Sequence, residues 1–134
     1  MIDDVEREVR GLHAFFERWF RGEGGALERA ERALAPDFQL VGPRGTRDDR
    51  ASTLAAIASA RGGRSASFRI SVERFAVRWE GEGACLVTYE EHQSEGDDRT
   101  ARLSTALFRR SERAPCGVEW VHLHETWSGD RFRA

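Results

Sequence analysis

Lysine and asparagine are missing from this chain of 134 residues, and all 21 basic residues are arginine. Without lysine there is no Schiff-base amine and no P-loop lysine, so both chemistries are excluded. The bias toward Arg, Ala and Gly matches a base-composition effect rather than a site. Tyrosine occurs once, at Tyr89. The two cysteines, Cys85 and Cys116, have no metal-type spacing and are too few for a disulfide framework in a chain of this length. No apolar run approaches the roughly 18 residues of a membrane span. Met1 is followed by Asp3, Asp4, Glu6, Arg7 and Glu8, the opposite of a signal peptide. The expected protein is soluble and cytoplasmic. A net charge of −2 offers nothing that would attract nucleic acid or an anionic membrane. What remains is one domain, 1–134, 40% hydrophobic and long enough to bury roughly two-thirds of its unfolded surface.

Periodicity orders the elements. Ile2, Val5, Val9, Leu12, Phe16 and Trp19 or Phe20 recur at three and four, which predicts an amphipathic helix stopped by Gly22, Gly24 and Gly25. A short helix over 26–34 ends at Pro36, and 38–41 reads as a brief strand. A third helix is expected over 47–60, with Thr46 or Asp48 as its N-cap and Gly62-Gly63 as its stop. The period then changes to two. Phe68, Ile70 and Val72 alternate on even positions but Phe75, Val77 and Trp79 on odd ones, so a bulge belongs near Glu73-Arg74. Strands over 84–93, 99–110 and 118–127 follow at hairpin spacing, which predicts an antiparallel meander. Helices gathered ahead of one long sheet make an α+β fold.

The stretch EWVHLHETW, 119–127, concentrates the polar residues. Alternation puts Val121, Leu123, Glu125 and Trp127 on one face and Trp120, His122, His124 and Thr126 on the other. The Val-Leu face is expected inside, which turns Glu125 inward and the histidines outward. His122 and His124 share a face and are spaced to chelate, but a third ligand would have to come from His13, and no metal site is assigned.

HAFFERWF at 13–20, LAPDFQLVGP at 34–43, ACLVTYEEHQ at 84–93, RLSTALFRR at 102–110 and WVHLHETW at 120–127, taken with the element order, resemble the nuclear transport factor 2-like superfamily. Within it the chain is similar to the SnoaL-like branch of unassigned function, related to the calcium/calmodulin-dependent kinase II association domain. The resemblance implies a cone-shaped curved antiparallel sheet wrapped on its N-terminal helices, a pocket at the wide end and a homodimer.

Matching ACLVTYEE to the association domain puts Leu86, Thr88, Glu90 and His92 inside. Glu90 then stands where that domain carries an inward arginine, a departure that separates this pocket from one made for acidic ligands. Leu103, Thr105 and Leu107 would supply apolar wall, with Phe16, Trp19, Phe38, Leu40, Leu123 and Trp127. Glu125 and Glu90 beside His92 would have their charged forms disfavoured by burial and mutual repulsion, which raises carboxyl pKa values and suits acid–base work. Tyr89 alternates to the face opposite Glu90, so no tyrosine–acid oxyanion pair is expected. The sheet's outer face, with His122 and His124, is the expected homodimer surface. Two functions follow. One is a small dimeric domain holding a compact organic ligand. The other is a cofactor-independent acid–base enzyme, an isomerase, cyclase, dehydratase or hydrolase, using Glu125, Glu90 and His92.

Overall fold

The structure, a computed structural model, describes residues 1–129, so positions 130–134 of the expected domain lie outside the described residues. Helix α1 covers Ile2–Phe20 and buries Val5, Glu8, Val9, Leu12, His13 and Trp19. The stripe read from the sequence is therefore its inner face, with two polar side chains set into it. Helix α2, Glu28–Ala33, is followed without a gap by strand β1, Leu34–Val41. Pro36 thus lies inside the strand, where the sequence suggested a pause before Phe38. Strand β2, Arg47–Asp49, precedes helix α3, Arg50–Ser59. The expected helix start at 47 is displaced because 47–49 pairs with 39–41. The N-cap is Asp49, whose carboxylate accepts from the Ser52 amide at 2.8 Å.

Strands β3, Arg69–Gly81, β4, Ala84–Glu95, β5, Asp98–Arg110, and β6, Val118–Trp127, form the antiparallel meander. The sheet order is β2-β1-β6-β5-β4-β3, with β1 parallel to β6. The bulge expected near Glu73-Arg74 is present: the β3–β4 register shifts between Glu73 and Ala76, and Arg74 takes φ 54°. It lets Val72 on one side and Phe75 and Val77 on the other all pack against the core. N-terminal helices on one face of a curved, open six-stranded sheet make a mixed α+β fold.

The core is the space between α1 and the sheet's inner face, filled by Val5, Val9, Leu12, Phe38, Val87, Tyr89, Phe108 and Trp120. Glu8 is fully buried there, held by two hydrogen bonds from Arg29 at 3.1 Å and one from the Trp120 indole at 3.0 Å. The end of α1 is stitched to the end of α3. The Trp19 indole donates to the Ile57 carbonyl at 2.7 Å, and the Arg64 amide to the Phe20 carbonyl at 2.8 Å. Gly22 meets Gly62 so closely there that an added Cβ would stand 3.2 Å from the Gly62 Cα. Among the described residues no helix is long and apolar enough to cross a membrane.

Candidate functional site

Which strand residues reach the interior depends on pairing register. Strands β4 and β5 pair without a break, Tyr89 opposite Ser104 and Glu91 opposite Arg102. Between β5 and β6, Ser104 pairs with Glu125 and Leu107 with His122, but Phe108 pairs with Trp120. The shift leaves Val121 as the extra residue of a bulge. Inward side chains on β6 are therefore Val118 and Trp120 before the bulge and Leu123 and Glu125 after it. Trp120 is buried in the core, where simple alternation would have placed it outside. His122 and His124 stand on the outer face, their ring centroids 6.5 Å apart.

This register corrects the expected faces of β4 and β5. The inward side chains are Cys85, Val87, Tyr89 and Glu91 on β4, and Ser104, Ala106 and Phe108 on β5, all buried. Thr88, Glu90 and His92 lie on the opposite face. There His92 Nε2 is 3.0 Å from Glu90, and Glu90 is 3.4 Å from the exposed Arg74 guanidinium. Leu103, Thr105 and Leu107 are likewise outward, and Leu103 is 40% exposed. Tyr89, expected outside, is buried against His13 and Trp120. Leu86 and Thr88 were as plausible an apolar face as Val87 and Tyr89, so alternation had nothing to decide with. On β5 the outward face is the more apolar one, and reading it as core inverts the strand.

A cavity of about 170 Å³ lies between α1, β1, α3 and the inner face of β4–β6. Phe16, Phe38, Leu40, Leu123 and Glu125 line it, as the sequence suggested. Trp19 and Trp127 do not. Trp19 braces α3 through Ile57, and Trp127 lies beneath the Arg102 guanidinium, 4.9 Å from ring centroid to Cζ. The sequence reading missed His13, Thr53, Glu91, Gln93, Arg102 and Trp120, which also line the cavity. A second hollow, about 270 Å³, shares Phe20, Gln93 and Arg102 with the first and is otherwise lined by Ala60, Gly63 and Arg64. Phe20, Gln93 and Arg102 thus form a neck between an inner chamber and a vestibule.

Four ionisable groups meet inside. His13 Nδ1 donates to the Val9 carbonyl at 2.7 Å, because a carbonyl can only accept. Its Nε2 is 3.0 Å from Glu91 Oε1, and Gln93 donates to Glu91 Oε2 at 2.6 Å. Burial alone would raise the Glu91 carboxyl, but the charge and hydrogen bond of His13, helped by Arg102, outweigh it and hold Glu91 down to about 2. Burial works against the imidazolium too, and Glu91 overcomes it, so His13 is raised above its ordinary value. Both shifts favour the charged forms, an imidazolium facing a carboxylate.

Glu125 behaves oppositely. Burial pushes its carboxyl up and the Glu91 charge adds to that, bringing it to about 7. Arg102 pulls the other way, but its Nη1 is 3.4 Å distant, too long for a strong bond. Burial also pushes the Tyr89 phenol well above its usual value, with Glu91 and Glu125 adding to it. Thr53 Oγ1 and Arg102 Nε are buried and find no hydrogen-bond partner among the described residues. Two unsatisfied donors beside an empty space are what a polar ligand would complete.

A larger hollow, about 590 Å³, lies outside this site and is lined by Glu31, Arg32, Arg50, Arg113 and Glu119 among others. Its arginines already serve the fold: Arg50 donates to the Leu34 and Glu31 carbonyls and Arg32 to that of Arg113. It gathers no buried titratable group, so the smaller chamber is the better candidate.

Comparison with known proteins adds to this geometry. Residues 5–129 match the family described as sucrose-6-phosphate phosphohydrolase C-terminal. The chain belongs to that family. The motifs read alone had suggested the SnoaL-like branch; the family that matches carries this other description. Sucrose-phosphatase 2 of Nicotiana tabacum is 27% identical over 129 residues, covering 90% of this chain and 30% of the relative. The chain therefore spans under a third of the length of that curated relative. An NTF2-like protein of unknown function from Pseudomonas aeruginosa superposes with a TM-score of 0.86 at 28% identity, covering 94% of this chain and 99% of the other. The association domain of C. elegans CaMKII superposes with a TM-score of 0.73 at 14% identity, covering 92% and 93%. The nuclear transport factor 2-like fold is thereby shown.

Proposed function

We propose that this family member is a small-molecule binding domain whose inner chamber holds a compact organic ligand. The observation that carries this reading is the pairing of an apolar cup with two buried, unpartnered polar atoms, Thr53 Oγ1 and Arg102 Nε. The chamber's size sets the scale of the ligand: a dry cavity of about 150 Å³ accommodates benzene. Sucrose 6-phosphate, which the family's description names, would have to extend into the vestibule. Fragment screening by NMR tests the reading. Fragments of six to ten heavy atoms (about the size the chamber admits) should shift the amides of Thr53, Arg102 and Leu123 together. A library that moves none of these signals removes it.

A second reading is favoured by one specific observation. Glu125, brought to about 7, sits in the same chamber as the His13–Glu91 pair, so a weak acid and a second titratable pair share one cavity. That suits proton transfer on a bound substrate, the work of an isomerase or dehydratase. In this reading Glu125 keeps the role expected of it, while His13 and Glu91 take the places that Glu90 and His92 were expected to fill.

The outer sheet face is proposed as the surface through which two copies associate. It exposes Leu103 and His124 and half-buries Leu107 and His122. Two free thiols, Cys85 and Cys116, suit a reducing compartment such as the cytoplasm.

A further inference from the structure

The charges of the inner chamber can be counted. His13 and Glu91 face each other at 3.0 Å and cancel when the imidazole is protonated. Arg102 is positive; among the described residues its Nη1 reaches Glu125 at 3.4 Å and its Nε has no hydrogen-bond partner. With Glu125 protonated the chamber carries one net positive charge; with Glu125 ionised it carries none. A buried charge is costly unless it is balanced. The protonated chamber therefore lacks an anion, whereas the ionised chamber would be driven negative by one. We infer that the chamber takes up a small organic acid together with one proton, the ligand carboxylate bridging Arg102 and the Glu125 carboxylic acid at the neck while its apolar body fills the cup.

Each part of the ligand has a counterpart. Arg102 lines both the chamber and the vestibule, so a carboxylate at the neck is within its reach from either side. Its guanidinium offers Nε and Nη donors in the fork geometry that matches two carboxylate oxygens. Gln93, also at the neck, gives one side-chain donor to Glu91 and has a second. Glu125, once protonated, donates its O–H to the ligand, and the proton comes from solvent and stays on Glu125. Phe16, Phe38, Leu40, Ile57 and Leu123 receive the apolar body. Besides Arg102, the charged groups facing Glu125 are Glu91 on β4 and His13 on α1. Glu91 favours its protonation, and His13 opposes it.

The inference rests on the ligand-binding reading above, and the test separates the two. Benzoate and its uncharged counterpart benzamide are titrated into the full chain by NMR at pH 6, 7, 8 and 9. Benzoate should bind tighter than benzamide at pH 6, and its Kd should rise about tenfold per pH unit above 7, one proton per ligand. Benzamide should show no such slope. In Glu125→Gln, which cannot ionise, the slope for benzoate should flatten. In Arg102→Gln, the preference for benzoate over benzamide should disappear. If both probes bind alike at every pH, the cavity is a ligand site but the organic-acid assignment is overturned. If neither binds, both readings fall. If the slope survives in Glu125→Gln, the proton sits on the His13–Glu91 pair and the mechanism proposed here is wrong. Circular dichroism of each variant confirms that a loss reflects the site rather than unfolding.

Discussion

At the scale of the residue, two glutamates in one chamber are tuned in opposite directions by their neighbours. Glu91 has His13 at 3.0 Å and is held down to about 2. For Glu125, burial and the Glu91 charge outweigh a distant Arg102 and His13, and it rises to about 7. Their effects on stability have opposite signs. A folded-state pKa above the ordinary 4.5 means the native state holds the proton more tightly, so the Glu125 contribution is complete below 4.5 and is lost as pH rises to 7. The Glu91 contribution is complete above 4.5 and is lost as pH falls to 2. His13, raised above its ordinary 6.5, adds a further loss toward high pH. Urea unfolding should therefore show wild type losing on the order of 1–3 kcal/mol between pH 5 and 8. Glu125→Gln should lose less than half of that. Equal losses in the two proteins would mean that Glu125 titrates normally.

At the scale of the element, the site depends on how α1 is fastened. Its inner face is not purely apolar, since Glu8 sits fully buried between Arg29 of α2 and Trp120 of β6. Three donors satisfy the carboxylate, so the arrangement is tolerable only while all of them remain. Removing one partner of a buried pair leaves the other charge uncompensated. Arg29→Met should therefore destabilise the protein by about 3 kcal/mol in urea unfolding, a figure below the fully buried extreme because Arg29 keeps part of its side chain in water. A loss under about 1 kcal/mol, the range of exposed ion pairs, would show that the network contributes little. The helical stripe of α1 was plain in the sequence. That Glu8 and His13 would join the buried side of it was not, because each is admitted only by partners on α2, β4 and β6.

At the scale of the whole molecule, the sheet has one face committed to α1 and the core and another that no helix among the described residues covers. Leu103 and His124 stand exposed on that outer face, with Leu107 and His122 half-buried. If two copies meet there, placing Asp at both His122 and His124 should give monomers by light scattering, since like charges would face one another across the interface. An unchanged dimer would locate the contact elsewhere, and a monomeric wild type would dispose of the proposal. The association-domain likeness, at 14% identity, shows the fold alone.

Local pattern alone determined the helix stripe of α1, the bulge at Glu73-Arg74 and the hairpin meander of β3 to β6. Each of these depends on neighbours in the chain, where period and turn chemistry act. It also determined that Glu125 faces inward, because Leu123 and Glu125 are flanked by histidines and threonine. Only the tertiary structure decided that Glu91 and not Glu90 shares that chamber. The pairing of Tyr89 with Ser104, and of Ser104 with Glu125, links the face of β4 to that of β6 across two interstrand registers. A one-residue slip in either exchanges every inward side chain for an outward one. Alternation within a strand shows which residues travel together, and only its neighbours settle which set turns inward.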